Sequence, residues 1–449
     1  MNKLENTREI VYEMLLYVCR DGMPSHVVLQ KSLAKYAYLD KRDRALISRL
    51  FRGVLETKIQ LDYVIGLYSK VKFGRIKKPL RVILEMGTYQ ILMMEHIPDS
   101  AACNESVKLA KRHGFGSLSG FVNGVLRSIA REKDRIPYPD PRLEPVSSLS
   151  VRYSLPEWLT ELWMRTYGDK AAASFGEFFL REQPVTLRIR HTDRREELIR
   201  RLLDGGVTVE PGRIFSDAIR VSGYDRLEDI PSFASGEFAV QDESSMLTVA
   251  AAGLAGDEQI IDVCAAPGGK CLQAADRLET GMVIARDRTE EKIALIQENI
   301  ARMGVQHVRT QVCDALTLQE QDIGRADIVI ADLPCSGLGV IGRKPDIRYE
   351  MTPEKIEALV QLQKDILKTV SSYVKPGGLL IYSTCTVSPA ENQDMVRWIT
   401  KNLPFETDSL DPWIPAALRN KDTAQGMRQI LPGEFGTDGF FAARLKRVE

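Results

Sequence analysis

The chain has few of the features that mark secreted, membrane-bound or metal-binding proteins. Its seven cysteines are an odd number and include no C-x-x-C pair, which argues against a disulfide framework and a structural zinc site. Its five histidines are scattered without ligand spacing, so no metal is implied. Residues 1–10 lack the apolar region of a signal peptide, and the most apolar early stretch, residues 82–94, is too short to span a bilayer. The sequence therefore predicts a cytoplasmic protein with no membrane or metal partner.

The net charge of the 449 residues is zero, but the two signs are unevenly distributed. Residues 1–140 carry 24 Lys and Arg against 15 Asp and Glu, whereas the remainder carries 37 against 46. Basic clusters occur at residues 41–44, 72–78 and 108–112. A solvated helix face explains any one cluster, but a whole basic domain on a neutral protein is typical of polyanion binding, and RNA or DNA is the usual partner.

The spacing of apolar residues changes along the chain and predicts a multidomain protein. Residues 1–135 have apolar positions three or four apart, which predicts an all-α domain. Residues 136–180 begin with a proline-rich linker and continue as a helical segment. Residues 181–244 have the pattern of short strands around one helix, a small α+β module. In residues 245–449 helices alternate with apolar β-branched runs, which is typical of a doubly wound, largely parallel α/β sheet.

Side chains suited to ligand binding follow the predicted strands of this last region. A glycine turn between a strand and a helix can hold a nucleotide-like cofactor, and this turn consists of Cys264, Ala265, Ala266, Pro267, Gly268, Gly269 and Lys270. Asp287 ends the next strand, about 20 residues on, where an acidic side chain commonly binds ribose hydroxyls. Asp314 could receive an adenine amino group, and Asp332 ends the fourth strand. Because the turn is not G-x-G-x-x-G, a dinucleotide dehydrogenase fits poorly.

Two cysteines, Cys335 and Cys385, also stand just after strand-like runs. A cysteine thiol can attack an electron-poor carbon and form a covalent intermediate. Their position predicts covalent chemistry on a substrate beside a bound cofactor.

Three motifs, D-V-C-A-A-P-G-G-K, D-L-P-C-S-G-L-G and S-T-C-T-V-S-P-A-E-N, resemble those of the RNA cytosine-5 methyltransferases, which use S-adenosylmethionine and share a Rossmann-like fold. Residues 97–98, 104–111 and 121–127 resemble the NusB-type RNA-binding helical domain. This combination is that of the bacterial Sun/RsmB type, which methylates cytosine 967 of 16S ribosomal RNA. The resemblance implies S-adenosylmethionine as cofactor and 16S ribosomal RNA as partner of a monomeric enzyme. It also implies that residues 264–270 and the three aspartates bind the cofactor.

The resemblance implies separate roles for the two cysteines. Cys385, in the T-C motif, would be the nucleophile that adds to C6 of cytosine, so that C5 gains enamine character and takes the methyl group. Cys335, in the P-C motif, would help the adduct to break down. DNA cytosine-5 methyltransferases instead attack with the P-C cysteine. Cys264 is expected to contribute backbone to the turn rather than reactivity.

Four side chains near these motifs have more than one possible role. Asp332 has two open roles, a contact with the methionine end of the cofactor or a hydrogen bond to N3 or N4 of the target cytosine. Arg343, Lys344 and Arg348 follow the P-C motif and are expected to meet phosphates of the target strand, with a solvated loop as the alternative.

Three alternative functions stay open. The chain could be an RNA-binding factor with an inactive catalytic domain, although both cysteines and the glycine turn are intact. It could be a DNA cytosine-5 methyltransferase, although it has no room for a long target-recognition insert. It could also methylate a different ribosomal or transfer RNA cytosine.

Overall fold

The structure, a computed structural model, describes residues 6–448. Its α-helices are α1 (Thr7–Cys19), α2 (Ser25–Lys35), α3 (Lys41–Glu56), α4 (Lys58–Tyr68), α5 (Lys78–Met93), α6 (Asp99–Arg112), α7 (Ser119–Glu132), α8 (Pro145–Tyr153), α9 (Glu157–Tyr167), α10 (Asp169–Leu180), α11 (Arg195–Asp204), α12 (Pro231–Ala234), α13 (Glu243–Ala252), α14 (Gly269–Ala275), α15 (Glu290–Met303), α16 (Ile347–Glu350), α17 (Pro353–Val370) and α18 (Gln393–Asn402). Its strands are β1 (Val185–Ile189), β2 (Thr208–Pro211), β3 (Ala218–Ser222), β4 (Phe238–Val240), β5 (Gln259–Asp262), β6 (Met282–Asp287), β7 (Val308–Val312), β8 (Ala326–Asp332), β9 (Val374–Thr384), β10 (Phe405–Thr407), β11 (Met427–Ile430) and β12 (Phe440–Arg447).

The chain divides into two compact units. The first, here called the helical unit, comprises the residues up to 181 together with 341–350. The second, here called the sheet unit, comprises residues 182–340 and those after 350.

The helical unit packs around α5, which is buried from Leu80 to Ile91 on nearly every side. Most of these buried residues are apolar, as expected of a core helix, and the buried carboxylate of Glu85 is paired with Lys58 at 2.9 Å. Gly53 shows how closely α3 and α5 approach, since a Cβ at this position would overlap the ring of Tyr89. The predicted all-helical N-terminal region is confirmed. Within the described residues, no helix is long and apolar enough to cross a membrane.

Residues 341–350, which follow the P-C motif in sequence, belong to the helical unit. The side chain of Arg348 is fully buried, at 0% exposure. Its Nη1 donates to the carbonyl oxygens of Glu56, Tyr153 and Ser154 at 2.8, 3.2 and 3.3 Å. The expectation that Arg348 meets phosphates of the target strand is therefore wrong, because its guanidinium group is enclosed by protein and hydrogen-bonded to backbone.

The first part of the sheet unit is a four-stranded antiparallel sheet in the order β2-β3-β1-β4. Leu187 and Ile189 of β1 point to one face, where they pack with Leu198 and Leu202 of α11 in a small apolar cluster. Arg188 points to the opposite face and forms a 3.0 Å ion pair with the carboxylate that follows α14. One face of this sheet is thus apolar and the other is joined to the rest of the unit by buried polar contacts.

The second part is an eight-stranded sheet in the order β10-β12-β9-β8-β5-β6-β7, with β11 also paired to β12. Strands β5 to β9 are parallel, and β12 pairs with β9, β10 and β11 in antiparallel register. The predicted largely parallel sheet is confirmed. The chain runs outward from β5 to β6 and β7, then returns to β8 on the other side of β5. Such a reversal of strand order leaves a crevice at the carboxyl ends of the strands, where ligands of these folds bind.

Candidate active site

The predicted cofactor turn, residues 264–270, connects β5 to α14. Ala265 N–H donates to a carbonyl oxygen of β6 at 2.8 Å, which ties the turn to the neighbouring strand. Gly268 has a φ of +115°, a left-handed conformation that favours glycine. A Cβ on Gly269 would meet only Gln241, at 3.9 Å, so the backbone there has open space before it. The turn therefore suits the close approach of a ligand.

Asp287 and Asp314 follow the adjacent parallel strands β6 and β7. Asp287 is buried, and its carboxylate accepts hydrogen bonds from Ala266 N–H at 3.1 Å, from the next backbone N–H at 2.8 Å and from Lys292 Nζ at 2.9 Å. Asp314 is half-buried, and one of its oxygens accepts from Leu316 N–H at 3.0 Å. Asp287 thus holds the glycine turn against β6 in addition to any ligand contact.

Asp332 lies at the end of β8, in contact with both the glycine turn and β9. Its Oδ2 is 2.7 Å from Lys270 Nζ, and its Oδ1 accepts from Ser383 Oγ at 2.8 Å. Burial lowers the pKa of Lys270, but Asp332, then Asp262 and Cys385, raise it above its ordinary value. Lys270 is therefore a half-buried cation, paired with Asp332 and close enough to Asp262 and Cys385 for both to influence its charge.

Cys335 and Cys385 meet because β8 and β9 are neighbouring parallel strands with Asp332 opposite Ser383. Their Sγ atoms are 3.4 Å apart. The hydrogen bond to Cys385, together with burial, raises the pKa of Cys335 well above its ordinary value. Either sulfur can donate in this contact, and the raised pKa favours the protonated form of Cys335. Burial also raises the pKa of Cys264, so the thiol in the cofactor turn is a poor nucleophile.

The structure brings the predicted residues to one edge of the sheet in two groups. Lys270, Asp332 and the two cysteines lie together at β8 and β9. Asp287 is near enough to β5 to influence Asp262, whereas Asp314 lies one strand further out, after β7. The ends of adjacent parallel strands thus carry the cysteines on one side and the predicted ribose and adenine contacts on the other.

Sequence reasoning missed two side chains of this edge, Asp262 and Ser383. Asp262 ends β5 and is 1% exposed, and burial together with Asp332 raises its pKa to about 7. Its position at a strand end, directly before the glycine turn, is the same signal that identified the other aspartates. Ser383 offers no such signal, because its contact with Asp332 depends on the register between β8 and β9.

Comparison with known proteins gives consistent matches over the whole chain. Residues 250–446 match a family model described as 16S rRNA methyltransferase RsmB/F, and residues 5–131 match the NusB family model. The chain is 36% identical to a probable ribosomal RNA small subunit methyltransferase B of Bacillus subtilis over 99% of both chains. It is 32% identical to a similarly named Synechocystis protein over 99% of this chain and 100% of the other.

Two solved structures share the fold. The protein PH0851 superposes with a TM-score of 0.82 at 23% identity, over 98% of this chain and 97% of that chain. A methyltransferase homolog protein from Pyrococcus horikoshii superposes with a TM-score of 0.58 at 23% identity, over 69% of this chain and 100% of that chain. At these identities the likeness establishes the fold.

Proposed function

Because the chain belongs to the RsmB/F family of 16S rRNA methyltransferases, we propose that it methylates C5 of one cytosine in 16S ribosomal RNA through a covalent cysteine–C6 adduct. The target we propose is cytosine 967, and the enzyme would act in the cytoplasm as a monomer. The observation that carries the proposal is the 3.4 Å contact between Cys335 and Cys385 beside the Lys270–Asp332 pair. The proposed nucleophile, a second thiol and a half-buried ion pair meet there at the carboxyl end of the sheet.

The methyl donor of this family is S-adenosylmethionine, which supplies an electrophilic methyl group on a sulfonium centre. The residues present fit it. Asp262 Oδ2 is buried and has no hydrogen-bond partner among the described residues, so it is available to accept from the amino group of the methionine end. Gly269 leaves open space for the ligand. We assign the ribose hydroxyls to Asp287 and the adenine amino group to Asp314.

Cys385 is the proposed nucleophile. Its thiolate forms a bond to C6 of the cytosine, the electron pair of the 5,6 double bond moves to C5, and C5 takes the methyl group. A base then removes the C5 proton, the double bond re-forms, and Cys385 leaves C6. The raised pKa of Cys335 favours its protonated form, in which it can donate a hydrogen bond to the sulfur of Cys385 and assist this last step.

We assign Lys270 and Asp332 to the charged groups of this reaction, the Cys385 thiolate and the target cytosine. The ammonium group of Lys270 stabilises the Cys385 thiolate by charge, and Asp332 holds that ammonium group at 2.7 Å. We further assign to Asp332 a hydrogen bond with N3 or N4 of the cytosine, since its carboxylate lies beside the cysteines. Lys270, which the resemblance assigns to the cofactor turn, thereby takes a catalytic role.

The RNA would be held mainly by the basic N-terminal region, residues 1–135. Side chains of the stretch 72–78, including Lys72, Arg75 and Lys77, are exposed and can meet phosphates. The target base must leave its stack for the sulfur to reach C6 and the methyl group to reach C5, so a loop or loosely paired cytosine presented by flipping is the expected substrate.

Transfer of tritiated methyl groups to 16S ribosomal RNA, followed by bisulfite sequencing, tests the proposal. We expect one protected cytosine, at position 967, and no label when Cys385 is replaced by Ala. Label at another cytosine would contradict the position. RNA binding without any transfer would favour an RNA-binding factor with an inactive catalytic domain.

A further inference from the structure

One fully buried carboxyl group connects the loops that carry the two cysteines. Glu391 follows β9 by seven residues and is 0% exposed. Its Oε1 accepts from Ser336 N–H at 2.8 Å, and its Oε2 accepts from Ser336 Oγ at 2.5 Å. The hydroxyl of Ser336 is in turn 2.7 Å from that of Thr386. Ser336 directly follows Cys335 and Thr386 directly follows Cys385, so Glu391 connects the two cysteine loops through two hydroxyl groups.

The side-chain amides of Gln363 and Asn392 make further hydrogen bonds to the two cysteine loops. Gln363 of α17 donates to Glu391 Oε1 at 3.2 Å and to the carbonyl oxygen of Pro334 at 2.9 Å. The backbone of Cys335 is therefore fixed on both sides, through Pro334 and Ser336. Asn392 accepts from Thr384 Oγ1 at 2.6 Å and donates to Thr386 O at 3.0 Å, which fixes Cys385 on both sides in the same way.

These contacts have no role in the proposed function, although Glu391 and Asn392 both belong to the S-P-A-E-N motif. Among the described residues, the hydrogen bonds to the Glu391 carboxylate come from nitrogen and oxygen donors, such as those of Ser336 and Gln363, rather than from a thiol. Its connections reach the residues on either side of each sulfur, which is the arrangement expected of a group that sets a distance. Effective molarity depends steeply on such distances, and a displacement of about 1 Å can cost on the order of 100-fold.

We propose that Glu391 is a positioning residue that sets the separation of Cys335 and Cys385. The inference rests on the proposed function for its catalytic consequence, because the separation matters where one thiol assists the departure of the other. Loss of the connection would let the two loops move apart and slow the breakdown of the adduct more than its formation.

Two substitutions separate positioning from charge. In Glu391→Gln, the amide oxygen can accept from Ser336 N–H and from Gln363, and the amide nitrogen can donate to Ser336 Oγ. The Ser336 hydroxyl then reverses and donates to Thr386, which the 2.7 Å contact permits in either direction. Glu391→Gln therefore preserves the connection, whereas Glu391→Ala removes it.

The separation of the sulfurs can be measured without RNA or cofactor. The full-length protein is equilibrated with oxidised and reduced glutathione, and the Cys335–Cys385 disulfide is quantified by mass spectrometry of the linked peptides. Each disulfide formed consumes one oxidised glutathione and releases two reduced ones. We expect Glu391→Ala to lower the equilibrium constant roughly 100-fold and Glu391→Gln to leave it within a few-fold of wild type.

Glu243→Ala is the matched control, because Glu243 is also fully buried and accepts three backbone N–H groups, those of residues 213–215. It should lower thermal stability without changing the disulfide equilibrium. An unchanged equilibrium in Glu391→Ala, or an equal fall in Glu243→Ala, would overturn the positioning role. So would a Glu391→Gln protein with a normal disulfide equilibrium that nevertheless released RNA as slowly as Glu391→Ala. Failure of the wild-type protein to methylate RNA would instead count against the proposed function and leave the glutathione result intact.

Discussion

Replacement of Arg348 by Ala should destabilise the helical unit and leave the RNA contacts in place. Nη1 of Arg348 donates to the last carbonyl of α3, on Glu56, and to the last carbonyl of α8, on Tyr153. Carbonyl groups at helix C-termini have no partner within their own helix and carry partial negative charge. The guanidinium group thus joins and caps two helices of the helical unit.

The loss of stability in Arg348→Ala can be worked out from the carbonyl groups that lose their hydrogen-bond donor. Three carbonyl oxygens lose their donor, and an unsatisfied buried acceptor costs about 1–3 kcal/mol. Two other nitrogens of Arg348, Nε and Nη2, have no partner among the described residues, so their removal returns part of that loss. We expect a net destabilisation of about 3–5 kcal/mol, towards the lower end of the combined cost of three unsatisfied acceptors. Arg348→Lys should lose less, because an ammonium group can still reach one helix end.

Urea unfolding followed by circular dichroism measures this loss, and filter binding to 16S ribosomal RNA at several salt concentrations measures the phosphate contacts. We expect Arg348→Ala to unfold at lower urea with an unchanged salt dependence of RNA binding in the folded protein. A variant as stable as wild type that loses RNA affinity and salt dependence would refute the capping role and restore the phosphate assignment.

Three further predictions concern the cofactor, the buried carboxylates and the basic stretch. Asp287→Ala should weaken S-adenosylmethionine binding by about 1.5–3 kcal/mol, because a charge-assisted hydrogen bond is lost; unchanged affinity by calorimetry in the folded variant would contradict the ribose contact. The folded-state pKa of Asp262, raised to about 7 by burial and Asp332, exceeds an unfolded value of about 3.9. The native state therefore binds the extra proton, stability falls as pH rises from about 4 to about 7, and Asp262→Asn should flatten that fall in a pH series of thermal melts. An equally steep fall in the variant would place the titration elsewhere. Replacing the three lysines of residues 72–78 with Ala should reduce the slope of log affinity against log salt by up to about 0.7–0.9 per lost phosphate contact, and an unchanged slope would mean a solvated helix surface.

The sequence was sufficient to predict the strands that build the site. Apolar β-branched runs correspond to β5, β6, β7 and β8, and the aspartates at their ends could be identified because parallel strands end at one edge. The short strands β10 and β11 were not predicted, since three or four residues carry too little periodicity to distinguish a strand from a loop.

Contacts that depend on strand register or on helices distant in the sequence could not be predicted from the sequence. The pairing of Lys270 with Asp332 and the 3.4 Å approach of the cysteines depend on which residues of β8 and β9 lie opposite each other. Arg348 stands in a polar stretch typical of a surface loop, and only the helix ends that surround it explain its burial. The local sequence around Arg348 therefore gave no indication of its structural role.

The separate roles of the two cysteines are the central claim, and trapping of the protein–RNA adduct tests them most directly. Wild type, Cys385→Ala, Cys335→Ala and the control Cys103→Ala are incubated with 16S ribosomal RNA and S-adenosylmethionine and run on denaturing gels. Cys385→Ala should form no adduct and transfer no methyl group, because no thiolate remains to activate C5. Cys335→Ala should accumulate an adduct that survives denaturation, and Cys103→Ala should behave as wild type. An adduct trapped by Cys385→Ala and lost in Cys335→Ala would show that the P-C cysteine attacks the base, and would contradict the account.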